Sequence, residues 1–374
     1  MNLEPVDSLI TEAINDGAFP GAAFAVHHKG RVRKRFFGRQ TYCPESREID
    51  ESTLWDLASL TKVVATTSVA MILHDRGKLD IDRKLTEVIP EFLGDGKDKI
   101  TFRDLLVHDA GLKPDIPYIE RYFDQDSILE AIFAEPLEYE TGTKMVYSDL
   151  SMILMAQAMQ RITGETLDTF AQKHVFGPLE MRQTRFSPAA LDRRTGESMP
   201  DLCDRCAPTE TLDPWRKKLR DRRFTSPEQI RLFGGSPAYI QAEVHDPTAA
   251  VLEGVAGHAG LFSTLDDLVR FVAGLTAGKV AKRATVAAWT KCQSSLSSRG
   301  LGWDTKSDPS SAGTLFGDRS FGHTGYTGTS IWCDPENHVY AVLLTNRVHP
   351  TSDNDKIRAV RPAFHDAIFQ AAVG

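Results

Sequence analysis

Strand-like sequence is confined to the two ends of the chain, with helical periodicity between them, and no other feature limits the possible folds as much. Residues 22–28 and 32–37, either side of Lys29-Gly30-Arg31, read as a β-hairpin. Residues 320–325, 328–333 and 338–345 read as strands, with Asp334-Pro335-Glu336-Asn337 as the turn between the last two. Helical spacing marks residues 3–16, where Leu3, Val6, Leu9, Ile10, Ala13 and Ile14 share a face, and the apolar stretch 59–76, which stops at Gly77. Thr101, three residues ahead of Asp104, opens another helix with a capping pattern. Residues 126–133, 150–162, 167–175, 265–275, 283–291 and 354–372 complete the helices. The expectation is an α+β fold: an antiparallel β-sheet domain built from both termini (residues 1–80 and 255–374), flanked by helices, with an inserted, mainly helical domain with long loops at residues 81–254. Residues 187–247 show little periodicity and read as surface loops with one short helix near 226–233. The basic run from Trp215 to Arg223 reads as a solvated loop.

Composition excludes several function classes. The chain has 374 residues, 41% hydrophobic and 25% charged, which is enough for one large core or two domains. A net charge of −7 without a basic stripe gives no reason to expect a nucleic-acid partner. No stretch approaches the ~20 apolar residues of a membrane span. The start, Met1 to Asp7, lacks the basic and apolar regions of a signal peptide, so the chain as given reads as cytoplasmic, or as periplasmic or secreted if it is a processed form. Five scattered cysteines make no disulfide framework, and an odd count fits a reducing compartment.

Three constellations carry chemistry. The first is Ser59 and Lys62, in Trp55-Asp56-Leu57-Ala58-Ser59-Leu60-Thr61-Lys62, at the start of a helix. Residues three apart on a helix share a face, roughly 5–6 Å apart at Cβ, so the amine can reach the hydroxyl. A serine needs a base to become a nucleophile. Lys62 serves if its pKa falls by roughly 3 units, about 4 kcal/mol, or it stays charged and lowers the pKa of a second base. Ser59 at a helix start also has free N–H groups suited to an oxyanion hole. Alone, this spacing does not separate a nucleophile from a serine cap followed by a solvated lysine. The second is Tyr147-Ser148-Asp149, where the phenol can shuttle a proton beside a cation such as Lys62, and where the bland alternative is an N-capping aspartate beside a core tyrosine. The third is Gly322-His323-Thr324-Gly325-Tyr326-Thr327-Gly328. Its glycines allow a ligand close to the backbone, His323 can carry charge or relay a proton, and the Tyr326 N–H can be a second oxyanion donor. The alternative is an ordinary glycine-rich hairpin.

Together, and in this order, the three resemble the motifs of the serine β-lactamase and penicillin-binding protein family, on the branch of class C β-lactamases, D,D-carboxypeptidases and related esterases. Residues 100–112 resemble the family's LLTHTSGL stretch, residues 176–186 its PLGMxxTxF stretch, and residues 255–268 a further shared segment. The resemblance implies a β-lactamase/transpeptidase-like fold with its site in a cleft between sheet and helical domain. It implies an ester or amide hydrolase working through an acyl-serine. Ser59 would be the nucleophile, Lys62 and Tyr147 the base machinery, and His323 would stand where the family has the lysine of K-T-G. The Ser59 and Tyr326 N–H groups would form the oxyanion hole, and Asp149, Thr324 and Gly325 would meet the substrate. Asp149 replaces the usual asparagine of Tyr-x-Asn, and an ionised aspartate can only accept hydrogen bonds. With His323 in place of lysine, carboxylate recognition is expected to be weaker and pH-dependent. Both departures point away from an efficient β-lactamase and toward an esterase or amidase. The runs 207–210, 213–216, 243–247 and 257–260 further resemble a sub-branch containing N-acetylmuramoyl-L-alanine amidases, interrupted here between Lys217 and Ala242.

The expected partner is a small-molecule ester, amide or peptidoglycan-like substrate, with no cofactor and no metal. A low-turnover penicillin-binding D,D-peptidase or β-lactamase is the nearest alternative. A zinc site from Cys203, Cys206, His245 and His258 is a more distant one, since a single C-x-x-C with loosely spaced histidines is a weak metal signature. A non-catalytic ligand sensor would be expected to have lost Ser59, Lys62 or Tyr147, and all three are present.

Overall fold

Lys29 (φ 48°) and Gly30 (φ 79°) form the turn of the first hairpin, and two consecutive left-handed residues are what a tight two-residue hairpin needs. They join β1 (Gly21–His28) to β2 (Arg31–Gly38) in the register His28↔Arg31 to Gly21↔Gly38. This computed structural model describes residues 1–116, 119–186, 199–223 and 238–374. The short helix expected near 226–233 lies outside them.

Six strands form the main sheet, in the order β2-β1-β9-β8-β7-β6, all antiparallel. The C-terminal members are β6 (Asp304–Thr305), β7 (Phe321–Thr324), β8 (Ser330–Asp334) and β9 (Val339–Thr345). The α+β expectation, an antiparallel sheet flanked by helices, is met. The two-residue period of the strands divides the core. Ala22, Phe24, Val26, Trp332, Val339, Ala341 and Leu343 pack under the terminal helices Glu4–Asn15 and Ile357–Val373. Their neighbours Ala23, Ala25, Ile331, Cys333, Tyr340, Val342 and Leu344 face the larger core shared with the remaining helices. Both faces are therefore covered, and burying each Phe- or Leu-sized side chain contributes roughly 1.5–3 kcal/mol. Among the described residues no helix is long and apolar enough to cross a membrane.

A second, three-stranded sheet has the order β3-β5-β4, from Trp55–Asp56, Leu261–Ser263 and Arg185–Phe186. Strands this short show no sequence period. They matter because β3 leads directly into Ser59. The capping pattern at Thr101 forms a full capping box on the helix Phe102–Val107. The apolar stretch 59–76 is helical, but Lys62–Thr67 is wound as a π-helix before the α-helix Ser68–Asp75.

The basic run corrects the sequence reading. It is not a solvated loop but the helix Pro214–Arg223, and Met199–Arg205 is helical as well. Pro214 starts the helix where its missing N–H costs nothing, and Asp213 accepts the Arg216 N–H at 2.8 Å. Arg216 and Arg220, one turn apart, both point inward. Arg216 donates to the carbonyls of Val244 and His245 at 3.0 and 2.5 Å, and Arg220 pairs with Glu243 at 2.8 Å. Inward-facing arginines look like a polar face in sequence, which hid the helix.

In the C-terminal helix His365 is fully buried, and its Nδ1–H lies against the carbonyls of Ser311 (2.9 Å) and Arg361 (2.8 Å). Burial outweighs those carbonyls and pushes its pKa down to about 4 from 6.5. Below pH 6.5 the unfolded chain therefore binds a proton that the folded chain refuses, so this contribution to stability is complete above 6.5 and lost as pH falls toward 4. The expected loss is about 3 kcal/mol by pH 4. Urea unfolding at pH 7 and pH 4.5 should show a smaller drop for His365→Gln than for the natural chain; equal drops would exclude this role.

Candidate active site

Ser59 is presented by a strained and heavily braced segment. Ala58, immediately before it, has φ 45°, a left-handed conformation that costs a non-glycine residue on the order of 1–3 kcal/mol. The buried carboxylate of Asp56 holds the bend, accepting the N–H of Ala58 at 2.8 Å and of His245 at 2.7 Å. Burial raises the Asp56 pKa above the ordinary value despite those two donors. The glycine-rich turn after β7 is fastened to the same segment. Thr327 Oγ1 donates to the Asp56 carbonyl at 2.7 Å and Thr329 Oγ1 to the Leu57 carbonyl at 3.1 Å. Gly325 lies so close that a Cβ there would stand 2.5 Å from the Leu57 carbonyl oxygen. Arg361 donates to the carbonyls of Gly325 and Thr329 from behind. Ser59 and Tyr326 are thus held by one clamp, and among the described residues neither backbone N–H has an acceptor.

Lys62 is fully buried, and its ammonium touches three oxygens: Ser59 Oγ at 2.7 Å, Asp149 Oδ1 at 2.7 Å and the His258 carbonyl at 3.2 Å. The π-turn at Lys62–Thr67 widens the helix where this side chain enters, a frequent device at functional sites. Burial alone would lower the Lys62 pKa. The Asp149 carboxylate, and after it the Tyr147 phenol, outweigh burial and hold it above the ordinary lysine value. Of the two roles left open by the sequence, the structure therefore favours the charged one. Lys62 donates to Ser59 and does not accept from it.

Tyr147 stands beside this pair. Its ring centroid lies 4.9 Å from Lys62 Nζ and 5.1 Å from the Arg299 guanidinium. Its hydroxyl is buried and, among the described residues, makes no hydrogen bond of normal geometry. His108 and His323 flank the ring, with centroids at 4.7 and 5.9 Å. His323 donates from Nδ1 to the Thr324 carbonyl at 2.8 Å, so its Nε2 carries a lone pair. Burial, then the charges of Arg299 and Lys62, push the His323 pKa well below its usual value. His323 is thus neutral at neutral pH. The pH-dependent carboxylate recognition expected of it moves to the acid side, and the cations lining the cleft are Arg299, Arg347, Arg358 and Arg361.

The cleft, about 580 Å³, is lined by Ser59, Tyr147, Arg299, His323, Thr324, Gly325 and Tyr326 among others. Asp149, at the first position of the helix Asp149–Thr163, lies against Lys62. The structure does not gather the residues of the zinc alternative. Neither Cys203 nor Cys206 belongs to a ligand cluster among the described residues, and His258 meets Asp149 and Asp246 instead.

Sequence reasoning missed Asp56, His108 and Arg299. Asp56 stands in the run that introduces Ser59, and a buried aspartate two residues before a strained position is a recognisable brace. Arg299 follows a serine-rich tract and gave no signal.

The family model for β-lactamases matches residues 6–363. The chain is 31% identical over 378 residues to an N-acetylmuramyl-L-alanine amidase of Bacillus subtilis strain 168, covering 93% of this chain and 81% of that one. Among solved structures it is similar in fold to EstCE1, a hydrolase with promiscuous acyltransferase activity (TM-score 0.73, 21% identity, 97% of each chain). It is likewise similar to a class C β-lactamase from Rhodobacter sphaeroides (TM-score 0.70, 18% identity, 99% of each chain). A site of this geometry, on this fold, in a chain matched over nearly its whole length, places the protein in the β-lactamase family of serine hydrolases.

Proposed function

We propose that the chain is an amidase with esterase capability, cleaving an N-acylated amino acid or peptide of the peptidoglycan type through an acyl-serine. The observation that carries this reading is the 2.7 Å contact between Lys62 Nζ and Ser59 Oγ, in a cleft bordered by two acceptor-free backbone N–H groups.

In this reading Tyr147 reacts as the phenolate: Ser59 Oγ attacks the carbonyl carbon and its proton passes to that phenolate oxygen, which becomes the hydroxyl. Lys62 at 4.9 Å and Arg299 at 5.1 Å from the ring would balance negative charge on that oxygen. The carbonyl oxygen, now negative, receives the N–H groups of Ser59 and Tyr326. Tyr147 then returns the proton to the leaving nitrogen or oxygen as its bond to carbon breaks. A water attacks the acyl-serine by the same route in reverse, releasing the acid and restoring the serine. Thr324 and Gly325 border the bound group.

The kind of amide is suggested by two facts. The B. subtilis relative acts on N-acetylmuramyl-L-alanine, whose amide is made with an amino acid. Of the arginines that line the cleft (Arg299, Arg347, Arg358 and Arg361), Arg299 lies beside the Tyr147 ring, with its Nε 3.9 Å from Asp304 and its Nη1 buried without a hydrogen-bond partner among the described residues. A carboxylate on the amino-acid side of the scissile bond would complete it. A penicillin-binding reaction fits less well, because Asp149 is committed to Lys62 and offers no amide N–H to a β-lactam.

Two outcomes are expected. Ser59→Ala should lose labelling by a fluorophosphonate, seen in intact mass, and lose hydrolysis by ~10³-fold or more, as when any other serine nucleophile is removed. Full retention of either would end this reading. Arg299→Gln should raise KM for N-acyl amino acids by ~10–100-fold, the worth of a charge-assisted hydrogen bond. It should leave a neutral p-nitrophenyl ester within about threefold; equal effects on both substrates would remove Arg299 as the carboxylate reader.

A further inference from the structure

The main sheet has two ends, and the reaction proposed above uses one of them. Ser59 lies where β7 runs out through Thr324 into Gly325. At the opposite end Phe321, Cys333, Tyr340 and His27, taken in turn from β7, β8, β9 and β1, are cross-strand neighbours and form a row. That row lines a cavity of about 220 Å³, together with Thr276, the last residue of the helix Leu265–Thr276. Thr276, Phe321 and Pro335 also line a second cavity of about 630 Å³, so the two form one groove. The larger part alone is in the size range of small-molecule sites, and the groove shares no lining residue with the Ser59 cleft. We infer that this groove is a second binding site, which takes an amphiphilic anion: a carboxylate carried on an alkyl or aryl body.

The apolar half of the argument comes from the helix Arg283–Trp289. Arg283, Val286, Ala287 and Thr290 stand at i, i+3, i+4 and i+7, so they form one stripe along this helix and its cap. A stripe of this spacing normally packs against another element. Here all four of its residues line the larger cavity, which they share with Phe321. Val286 and Phe321 are buried, so the groove has an apolar bottom, whereas Arg283 and Ala287 are exposed at its side. An apolar body laid on that bottom gains about 25 cal/mol for each Å² withdrawn from water.

The charged half comes from an imbalance. Arg283, Lys291 and Arg319 line the larger cavity, and Asp318 is the carboxylate that lines it with them. Among the described residues Lys291 and Arg319 have no carboxylate partner, and Arg283 gives its Nε to the Ala277 carbonyl at 3.2 Å. Asp334, which borders the smaller cavity, cannot balance them, because its carboxylate is consumed locally. It accepts the N–H groups of Gly317, Glu336 and Asn337 at 2.9, 3.0 and 3.0 Å and the Asn337 amide at 2.8 Å. Ser320 adds a donor to the larger cavity. It is fully buried, its N–H gives to the Gly317 carbonyl at 2.9 Å and its carbonyl accepts the Lys306 N–H at 3.1 Å. Its Oγ is left buried without a partner among the described residues, a condition that costs about 1–3 kcal/mol until an acceptor arrives. A carboxylate head supplies both the missing acceptor and the missing negative charge.

The test needs no assumption about the reaction at Ser59. Octanoate titrated into the full chain in a calorimeter should bind saturably, and 1-octanol, the same body without the charge, should bind ~10-fold more weakly or less. The double variant Lys291→Gln/Arg319→Gln should raise the Kd for octanoate by ~10-fold. Ala287→Phe, which fills the cavity from an exposed position on the helix, should weaken octanoate to a similar degree. Ser59→Trp, which fills the cleft instead, should leave the Kd within about twofold, since the two sites share no residue. Thermal unfolding of each variant reports folding separately, and Thr324→Tyr replaces Ser59→Trp if the latter does not fold. The inference is overturned if octanoate does not saturate, if 1-octanol binds as tightly, if either wall variant leaves the Kd unchanged, or if filling the cleft abolishes binding.

Discussion

A lysine ammonium with no exposure to water is the constraint on which the rest of this site depends. Such a group must be paired, because an isolated buried charge would sooner give up its proton than its hydration. Here Asp149 pairs it at 2.7 Å, and the ion pair decides the chemistry. A lysine held above its ordinary pKa is suited to donating rather than accepting. In the proposed reaction it orients Ser59 and supplies positive charge, and the proton passes to a second group. Tyr147, with a buried, unbonded hydroxyl beside two cations, is the group so placed. The asparagine-to-aspartate change at 149, which in sequence looks like the loss of a substrate donor, acts in the structure first on Lys62.

The fold serves this constraint by joining segments distant in sequence. The lead into Ser59 belongs to the small sheet, the turn carrying Tyr326 to the main one, and two threonine hydroxyls, from Thr327 and Thr329, fasten one to the other. The left-handed Ala58 persists because Asp56, Thr327 and Thr329 together over-determine its neighbourhood. Strain of this kind at a reacting residue is maintained by its surroundings. It places Ser59 at the head of the helix with its N–H free of any helical partner.

How much of this could be read from the chain depended on the range of the interaction. Ser59 and Lys62 lie within one helical turn, so their contact follows from spacing alone. The main sheet was legible because β1, β8 and β9 are apolar runs bounded by turn residues. Tyr147 and His323 could be named only by likeness, since nothing local says that residues 88 and more positions away share a cleft with Ser59. Charged residues misled most. Arg216 and Arg220 repeat at a helical interval but read as solvent-facing, although both are buried against carbonyls and a carboxylate. Arg299 carried no pattern at all, and β3, β4 and β5, two or three residues each, fall below any detectable period.

The distribution of charge across the cleft gives the proposed reaction its direction. On the helical side, Asp149 pairs with Lys62 at 2.7 Å and Asp246 Oδ1 lies 2.8 Å from His258 Nε2. On the sheet side, burial and nearby cations hold His323 and His108 well below the usual histidine pKa, and the cleft is lined by Arg299, Arg347, Arg358 and Arg361. A lysine at position 323 would have placed a third cation beside Tyr147 and in repulsion with Arg299. A neutral imidazole avoids that repulsion and presents a lone pair, able to accept from a hydroxyl or amide N–H of the bound group. The substitution at 323 and the arginine at 299 are therefore two parts of one arrangement. In the proposed reading the substrate would lie with its carboxylate toward Arg299, in the segment before β6, and its carbonyl over Ser59.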